Sequence, residues 1–262
     1  MSFHTIYDKF FSSNDWNSSK IFLKTLVHTL KDFQVKNIDD KVCSLHHSLE
    51  INQDGFNTYF MKNLGTLYIN LKNYKIFLQD KSGKNKFELD FTNKSIGMIF
   101  DQLKAQLKSF DEKISFNLSE DQNNYLLTSS TVAAEYFTII WDVFTILARI
   151  KSRLPLNASS PLVYWTHHFD MGFMYFYKGK YDSEQDPHIN IGFTPWIDKE
   201  GSIKKPYFYL YVWNGKEYVK GFETIEPIYW QNHFTVLELS NSNLDLERIL
   251  AKFVYTVITN LD

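Results

Sequence analysis

His168 and Asp170 stand two residues apart within SPLVYWTHHFDMGFMYFYKGK (160–180), a run of aromatic residues that otherwise reads as strand. An apolar strand seldom carries a carboxylate without a partner, because burying an unpaired charge costs several kcal/mol or forces a pKa shift. On a continuous strand His168 and Asp170 project from one face and His167 from the other. That spacing suits a histidine oriented by an acid, or two metal ligands, with His28 or His188 as a possible third. The competing role for Asp170 is structural: accepting backbone amides at a tight turn before Gly172. His46-His47 repeats the logic with a weaker signal, and Asp142 and Arg149, seven apart on a helix, are expected to pair with other elements.

No established catalytic motif is present: GxSxG, a P-loop, HExxH, GxGxxG and paired CxxC are all absent. The catalytic residues are therefore unknown from sequence, and no cofactor or metal is implied by any motif. The single cysteine, Cys43, excludes an internal disulfide and argues against a cysteine-based zinc site. With 28 basic and 30 acidic residues, net charge −2, the chain lacks the electrostatic footprint of a nucleic-acid binder. KSGKNK (81–86) reads as a solvated turn. No apolar run approaches the roughly 20 residues that span a bilayer, so no membrane partner is expected. The first residues show no signal-peptide pattern, and a cytoplasmic location is expected.

The elements that must position these residues follow from periodicity. Of 262 residues, 44% are hydrophobic and 17% aromatic, with 23 Phe, 16 Tyr and 6 Trp against 10 Gly and 6 Pro, so the core is built from large side chains. Four helices are predicted, at about 18–33, 95–110, 131–154 and 244–261, the last capped by Ser242 with Asp245. Strands are predicted at 42–51, 56–61, 66–71, 74–79 and 86–91, and again at 162–169, 171–177, 188–194, 207–213 and 234–239. Both sides of Tyr207–Trp213 are bulky, which makes it a central strand. The fold class is α+β: two helix–antiparallel sheet–helix halves, 1–117 and 131–262, joined by a polar linker at 118–130 and packed as one unit. The repeated order reads either as a pseudo-duplication or as an α+β chain in which the order arises without one.

The run at 160–180 resembles a motif of an uncharacterised bacterial family, domain of unknown function family 5996, close to SPVHFFWGSFDLAVTRFSGR. In that family the motif follows a long helix and precedes a segment ending near AGFWPG and an FYAYAYP-like strand. Here INIGFTPW (189–196) and PYFYLYVW (206–213) follow in the same order, and HFTVLELS with the last helix matches the family's acidic strand and helix. Ser160, Pro161, Phe169 and Asp170 sit on matching positions, as do Gly192, Phe193 and Pro195, and His28 in TLVH resembles the family's helical histidine. The family's arginine is Tyr175 here, its Trp-Gly pair is Thr166-His167, and its glutamate is Pro187, so a site using that arginine and glutamate cannot operate unchanged. The resemblance implies a fold and no activity.

The expected function is small-molecule binding in the C-terminal half. Trp165, Phe169, Phe193 and Tyr209 would form the pocket walls, with Asp170, His168 and His28 as polar handles. The alternatives are a protein-interaction module acting as a homodimer rather than a monomer, and a metal-dependent or hydrolytic enzyme using His168 and Asp170.

Overall fold

A computed structural model describes residues 3–62, 64–110, 124–127, 129, 131–155, 158–178, 185–195, 203, 205–239 and 245–261. Among these residues five helices and twelve strands follow in chain order: α1 (Phe3–Phe11), α2 (Asn14–Val35), β1 (Ser48–Asn52), β2 (Gly55–Asn57), β3 (Thr66–Asn70), β4 (Lys75–Gln79), β5 (Asn85–Asp90), α3 (Ile96–Lys108), α4 (Val132–Lys151), β6 (Val163–Trp165), β7 (Asp170–Tyr175), β8 (His188–Thr194), β9 (Tyr207–Trp213), β10 (Tyr218–Val219), β11 (Tyr229–Gln231), β12 (Phe234–Glu238) and α5 (Leu246–Thr259). This is a mixed fold of helices and antiparallel sheet. Among the described residues no helix is long and apolar enough to cross a membrane.

The chain divides into an N-terminal unit (Ser12–Lys41 and Leu45–Trp141) and a C-terminal unit (Met1–Phe11, Val42–Ser44 and Asp142–Asp262). The division thus runs inside α4, and α1 joins the C-terminal unit. Most of the expected linker at 118–130 lies outside the described residues.

In the N-terminal unit, β1 to β5 form an antiparallel meander. The apolar stripe predicted for α2, Phe22, Leu26, Leu30 and Phe33, is buried as the 3.6-residue period requires. Ser13 caps α2 by accepting the Trp16 N–H at 3.1 Å, and Ser95 caps α3 from Met98 at 3.3 Å. Trp16 stacks on Tyr136 of α4 at 5.0 Å, and Phe56 meets Phe137 edge-on at 5.6 Å. Gln34 joins α2 to the sheet. Its amide donates to the His46 and Ser48 carbonyls at 2.9 and 2.7 Å, and its oxygen accepts the Tyr59 N–H at 2.5 Å.

The strand expected at 42–51 starts only at Ser48. Val42–His47 is a 3-10 turn in which Cys43 and Ser44 take φ of 55° and 51°, and His46 Nδ1 accepts the Lys41 N–H at 3.0 Å. His46 and His47 therefore do not alternate across a strand; their rings lie 4.1 Å apart. The KSGKNK turn closes as expected, on Asp80, whose carboxylate accepts from Ser82 and Lys84 beside Gly83 at φ 81°.

In the C-terminal unit the strand order is β6-β7-β8-β9-β12-β11, all antiparallel, with β10 folded back on β9. β9 is internal, as its bulky faces predict. Leu246, Leu250, Phe253 and Val257 of α5 are buried on one stripe. The cap of α5 is Asp245 itself, accepting the Arg248 N–H at 3.1 Å, rather than Ser242, which lies outside the described residues. Asp142 and Arg149 turn to other elements: Tyr7 of α1 donates to Asp142, and Arg149 pairs with Glu247 of α5 at 2.8 Å.

Candidate functional site

Register decides which side chains of the C-terminal sheet meet, because residues directly opposite in an antiparallel pair share a face. Gly172 lies opposite Gly192, and Gly192 opposite Tyr209. Asp170 is two residues from Gly172 on β7 and opposite Trp165 on β6. One face of the sheet therefore carries Trp165, Asp170, both glycines and the row Tyr207, Tyr209, Tyr211 and Trp213. The other carries Ile191, Phe193, Phe208 and Leu210, all buried. Along β9 burial alternates residue by residue between these faces, with the tyrosines half-buried.

Two glycines make the centre of the tyrosine-bearing face possible. A Cβ at Gly192 would stand 2.3 Å from Tyr209 Oη and 2.4 Å from its Cζ, and a Cβ at Gly172 would stand 3.2 Å from the same oxygen. The Tyr209 ring thus lies flat across β8 and reaches β7, where its hydroxyl donates to Asp170 Oδ2 at 2.6 Å. The two residues are 39 apart in sequence. Asp170 is only 7% exposed. A hydrogen bond to a charged acceptor is worth about 1.5–3 kcal/mol and offsets part of the cost of burying the carboxylate.

Electrostatics agree with the geometry. Burial, and then the charge and hydrogen bond of Asp170, push the Tyr209 phenol well above its ordinary range. Tyr207 is raised as well, first by burial and then by the Asp170 charge. Next along the face, Tyr211 stacks on Tyr209 with centroids 6.4 Å apart and accepts from Asn190 Nδ2 at 2.8 Å. Asn190 Oδ1 is buried and has no hydrogen-bond partner among the described residues. Opposite Tyr207 on β12 is Glu238, which accepts from Tyr229 at 2.7 Å. Beyond Trp213, Tyr218 stacks on His233 at 4.2 Å.

The residues singled out from sequence fall into three groups. Trp165, Asp170 and Tyr209 share the face just described. Phe169 and Phe193 do not: Phe193 packs on Phe208 at 5.1 Å on the opposite face, and Phe169 meets Tyr164 edge-on at 5.6 Å, next to Met171 on that same opposite face. A pocket wall shared by Phe193 and Tyr209 is thus divided by the sheet. The histidines stand elsewhere. The expected strand breaks at Thr166–Phe169, a turn in which Phe169 takes φ of 58°, so His168 and Asp170 do not alternate on one strand. His167 and His168 are exposed on that turn, rings 4.1 Å apart. His28 lies on α2 of the N-terminal unit, 3.6 Å from Asp32. His188 is buried at the far end of β8, roughly 20 Å along the strand from the Thr194 end that neighbours Asp170. It holds its Nδ1 at 2.7 Å from the Asp186 carbonyl, the position of a donated N–H.

Among the described residues no three His, Cys, Asp or Glu side chains stand together as metal ligands. Ser160 has a structural role: its hydroxyl accepts the Met174 N–H at 2.9 Å and continues the edge of β7.

Gly172, Tyr207, Tyr211, Asn190 and Glu238 are parts of this face that sequence reasoning did not single out. Their signal was present in the Tyr-x-Tyr-x-Tyr alternation of β9 and in the lone glycines of β7 and β8, but joining them requires the register. No protein-family model matches the chain, and neither a curated protein nor a solved structure matches it significantly.

Proposed function

We propose that the C-terminal unit binds a small molecule on the tyrosine-bearing face of its sheet, with the Asp170–Tyr209 pair at the centre. The observation that carries this reading is the pair of glycines that clear a path for the Tyr209 ring to reach a buried carboxylate. A sheet needing only a packed core has no use for an acid at this position; an apolar residue would cost less to bury. Half-buried aromatic rings beside a few fixed polar groups are the usual lining of a ligand site.

A metabolite library screened by thermal shift tests the reading. Hits are expected to stabilise the wild-type chain and to lose their effect in Asp170→Asn and Tyr211→Ala. An empty screen, or hits indifferent to both substitutions, would refute it.

A homodimer is the second reading, supported by Tyr218 and Tyr229, which are 40% and 38% exposed beside the same row of rings. Light scattering at micromolar concentration decides it, since a clean monomer removes it. A metal-dependent or hydrolytic reaction using His168 and Asp170 has less support, because the turn leaves one exposed and the sheet buries the other. A cytoplasmic location is part of the proposal, supported by the lone, buried Cys43. Membership of family 5996 is likewise proposed, on the order of the three motifs along the chain. The helix–sheet–helix order of the two units supports a pseudo-duplication. Strand-by-strand superposition of β1–β5 on the C-terminal sheet is the check.

A further inference from the structure

We infer that Asn214 deamidates spontaneously through its neighbour Gly215, in the turn that joins β9 to β10. Asn214-Gly215 is the only Asn-Gly step in the chain. The reaction needs an uncommitted amide nitrogen on the following residue, a polarised side-chain carbonyl and an ammonia that can leave. The turn supplies all three.

The nucleophile is the backbone nitrogen of Gly215. This residue lies between the two strands, outside their ladder, and its N–H donates to no hydrogen bond among the described residues. It takes φ of 95°, a backbone that favours glycine, and without a Cβ it leaves its own nitrogen unshielded. The electrophile is the Asn214 side-chain carbonyl. Its Oδ1 accepts two backbone N–H groups, from Lys216 at 2.9 Å and from Glu217 at 3.0 Å. Fixed donors on a carbonyl oxygen stabilise the negative charge that collects there when a nucleophile adds. The leaving group is unheld: Asn214 is exposed, and its Nδ2 donates to no described residue.

In the first step a bond forms between the Gly215 nitrogen and Asn214 Cγ, and the Cγ–Nδ2 bond breaks. Ammonia departs with the proton of the Gly215 amide. Water then opens the cyclic imide at either carbonyl, leaving aspartate or isoaspartate, with no change of oxidation state. Asn52 is the control that the fold itself provides. Its Oδ1 also accepts two backbone N–H groups, from Asp54 at 2.9 Å and Gly55 at 3.1 Å. Its amide nitrogen, however, is held by Asn57 at 2.9 Å, and the residue that follows it is Gln53.

The two products differ in what they do to the fold. Aspartate keeps the main chain, and its carboxylate accepts the same two N–H groups more strongly. Isoaspartate adds a methylene to the main chain between β9 and β10. There Tyr218 pairs with Trp213 and stacks on His233 at 4.2 Å, so this product loosens the far end of the tyrosine row.

The full chain, folded or held in urea, is incubated near neutral pH for several weeks and peptide-mapped by mass spectrometry. In the folded chain Asn214 should convert about tenfold faster than Asn52, a barrier lower by about 1.4 kcal/mol, and yield both products. It should convert at least as fast folded as in urea, which removes the two donors. Asn214→Asp should keep the wild-type unfolding midpoint, whereas the isolated isoaspartate form should show shifted His233 ring signals by NMR. An Asn214 that survives, or that Asn52 outpaces, overturns the assignment. Aspartate without isoaspartate would mean direct hydrolysis and overturn the role of Gly215. A faster rate in urea would assign the reaction to the Asn-Gly step alone and overturn the role of the turn.

Discussion

Replacing Gly192 by alanine tests the centre of the site directly. The added methyl would lie 2.3 Å from Tyr209 Oη, 2.4 Å from its Cζ and 2.5 Å from the Met171 carbonyl oxygen. Ordinary contacts between carbon atoms are about 3.5–4.0 Å, so something must move. The ring can swing away, but only by giving up the 2.6 Å bond to Asp170. The Met171 carbonyl belongs to the backbone of β7 and cannot retreat without opening the pairing of β7 with β8. Losing a hydrogen bond to a buried charge costs about 1.5–3 kcal/mol, and overpacking adds about 1–3 kcal/mol. The gain from replacing a strand glycine by alanine, about 0.5–1 kcal/mol, offsets only part of this. A net loss of about 3–4 kcal/mol is expected, read as a shift of the urea midpoint at constant slope.

Tyr209→Phe, which keeps the ring and removes only the donor, should cost about 1.5–3 kcal/mol. Both substitutions act through the same bond, so the double variant should cost less than their sum by about the worth of that bond. A loss under about 0.5 kcal/mol for Gly192→Ala would show that the Tyr209 ring does not lie over residue 192. Strict additivity with Tyr209→Phe would show the same.

Two further outcomes are expected. Gln34→Leu strips two buried carbonyls and one part-buried N–H of their partner and should lower the stability of the N-terminal unit by about 3–5 kcal/mol; a change under about 1 kcal/mol would mean that other groups satisfy them. At alkaline pH, burial raises the folded-state pKa of Tyr209 and Tyr7 above the ordinary value of about 10, with Asp170 and Asp142 adding to it. The neutral phenols are thus favoured in the folded chain. Their contribution is complete below about pH 10 and is lost at about 1.4 kcal/mol per pH unit for each group as pH rises further. Unfolding midpoints across this range should fall more gently in Tyr7→Phe, and an unchanged slope would count against the part-buried Tyr7–Asp142 bond.

Helices were the most legible part of the chain. The stripes of α2, α3, α4 and α5 depend on spacing within a single element, and burial follows them almost residue for residue, from Phe22 in α2 to Val257 in α5. The same holds for β9, where bulky residues on both faces marked an internal strand. Turns that force an unusual backbone were less legible. Phe169, Cys43 and Ser44 take left-handed φ without being glycine, so strand propensity runs through them and the expected strands at 42–51 and 162–169 were drawn too long.

The chain by itself thus determined most of its elements, its α+β class and the oddity of Asp170 in an aromatic run, but not the short α1, β10 and β11, which carry too few periodic positions to stand out. Only the tertiary structure decided what Asp170 meets. Its partner Tyr209 is 39 residues away, and the ring reaches it across Gly192 and Gly172. The same register put Phe193 and Tyr209 on opposite faces and carried His188 away from Asp170. Periodicity is a local property and tells which residues of one strand share a side. Which strand lies next, and in what register, is set by pairing over the whole sheet, and a shift of one residue would exchange every face.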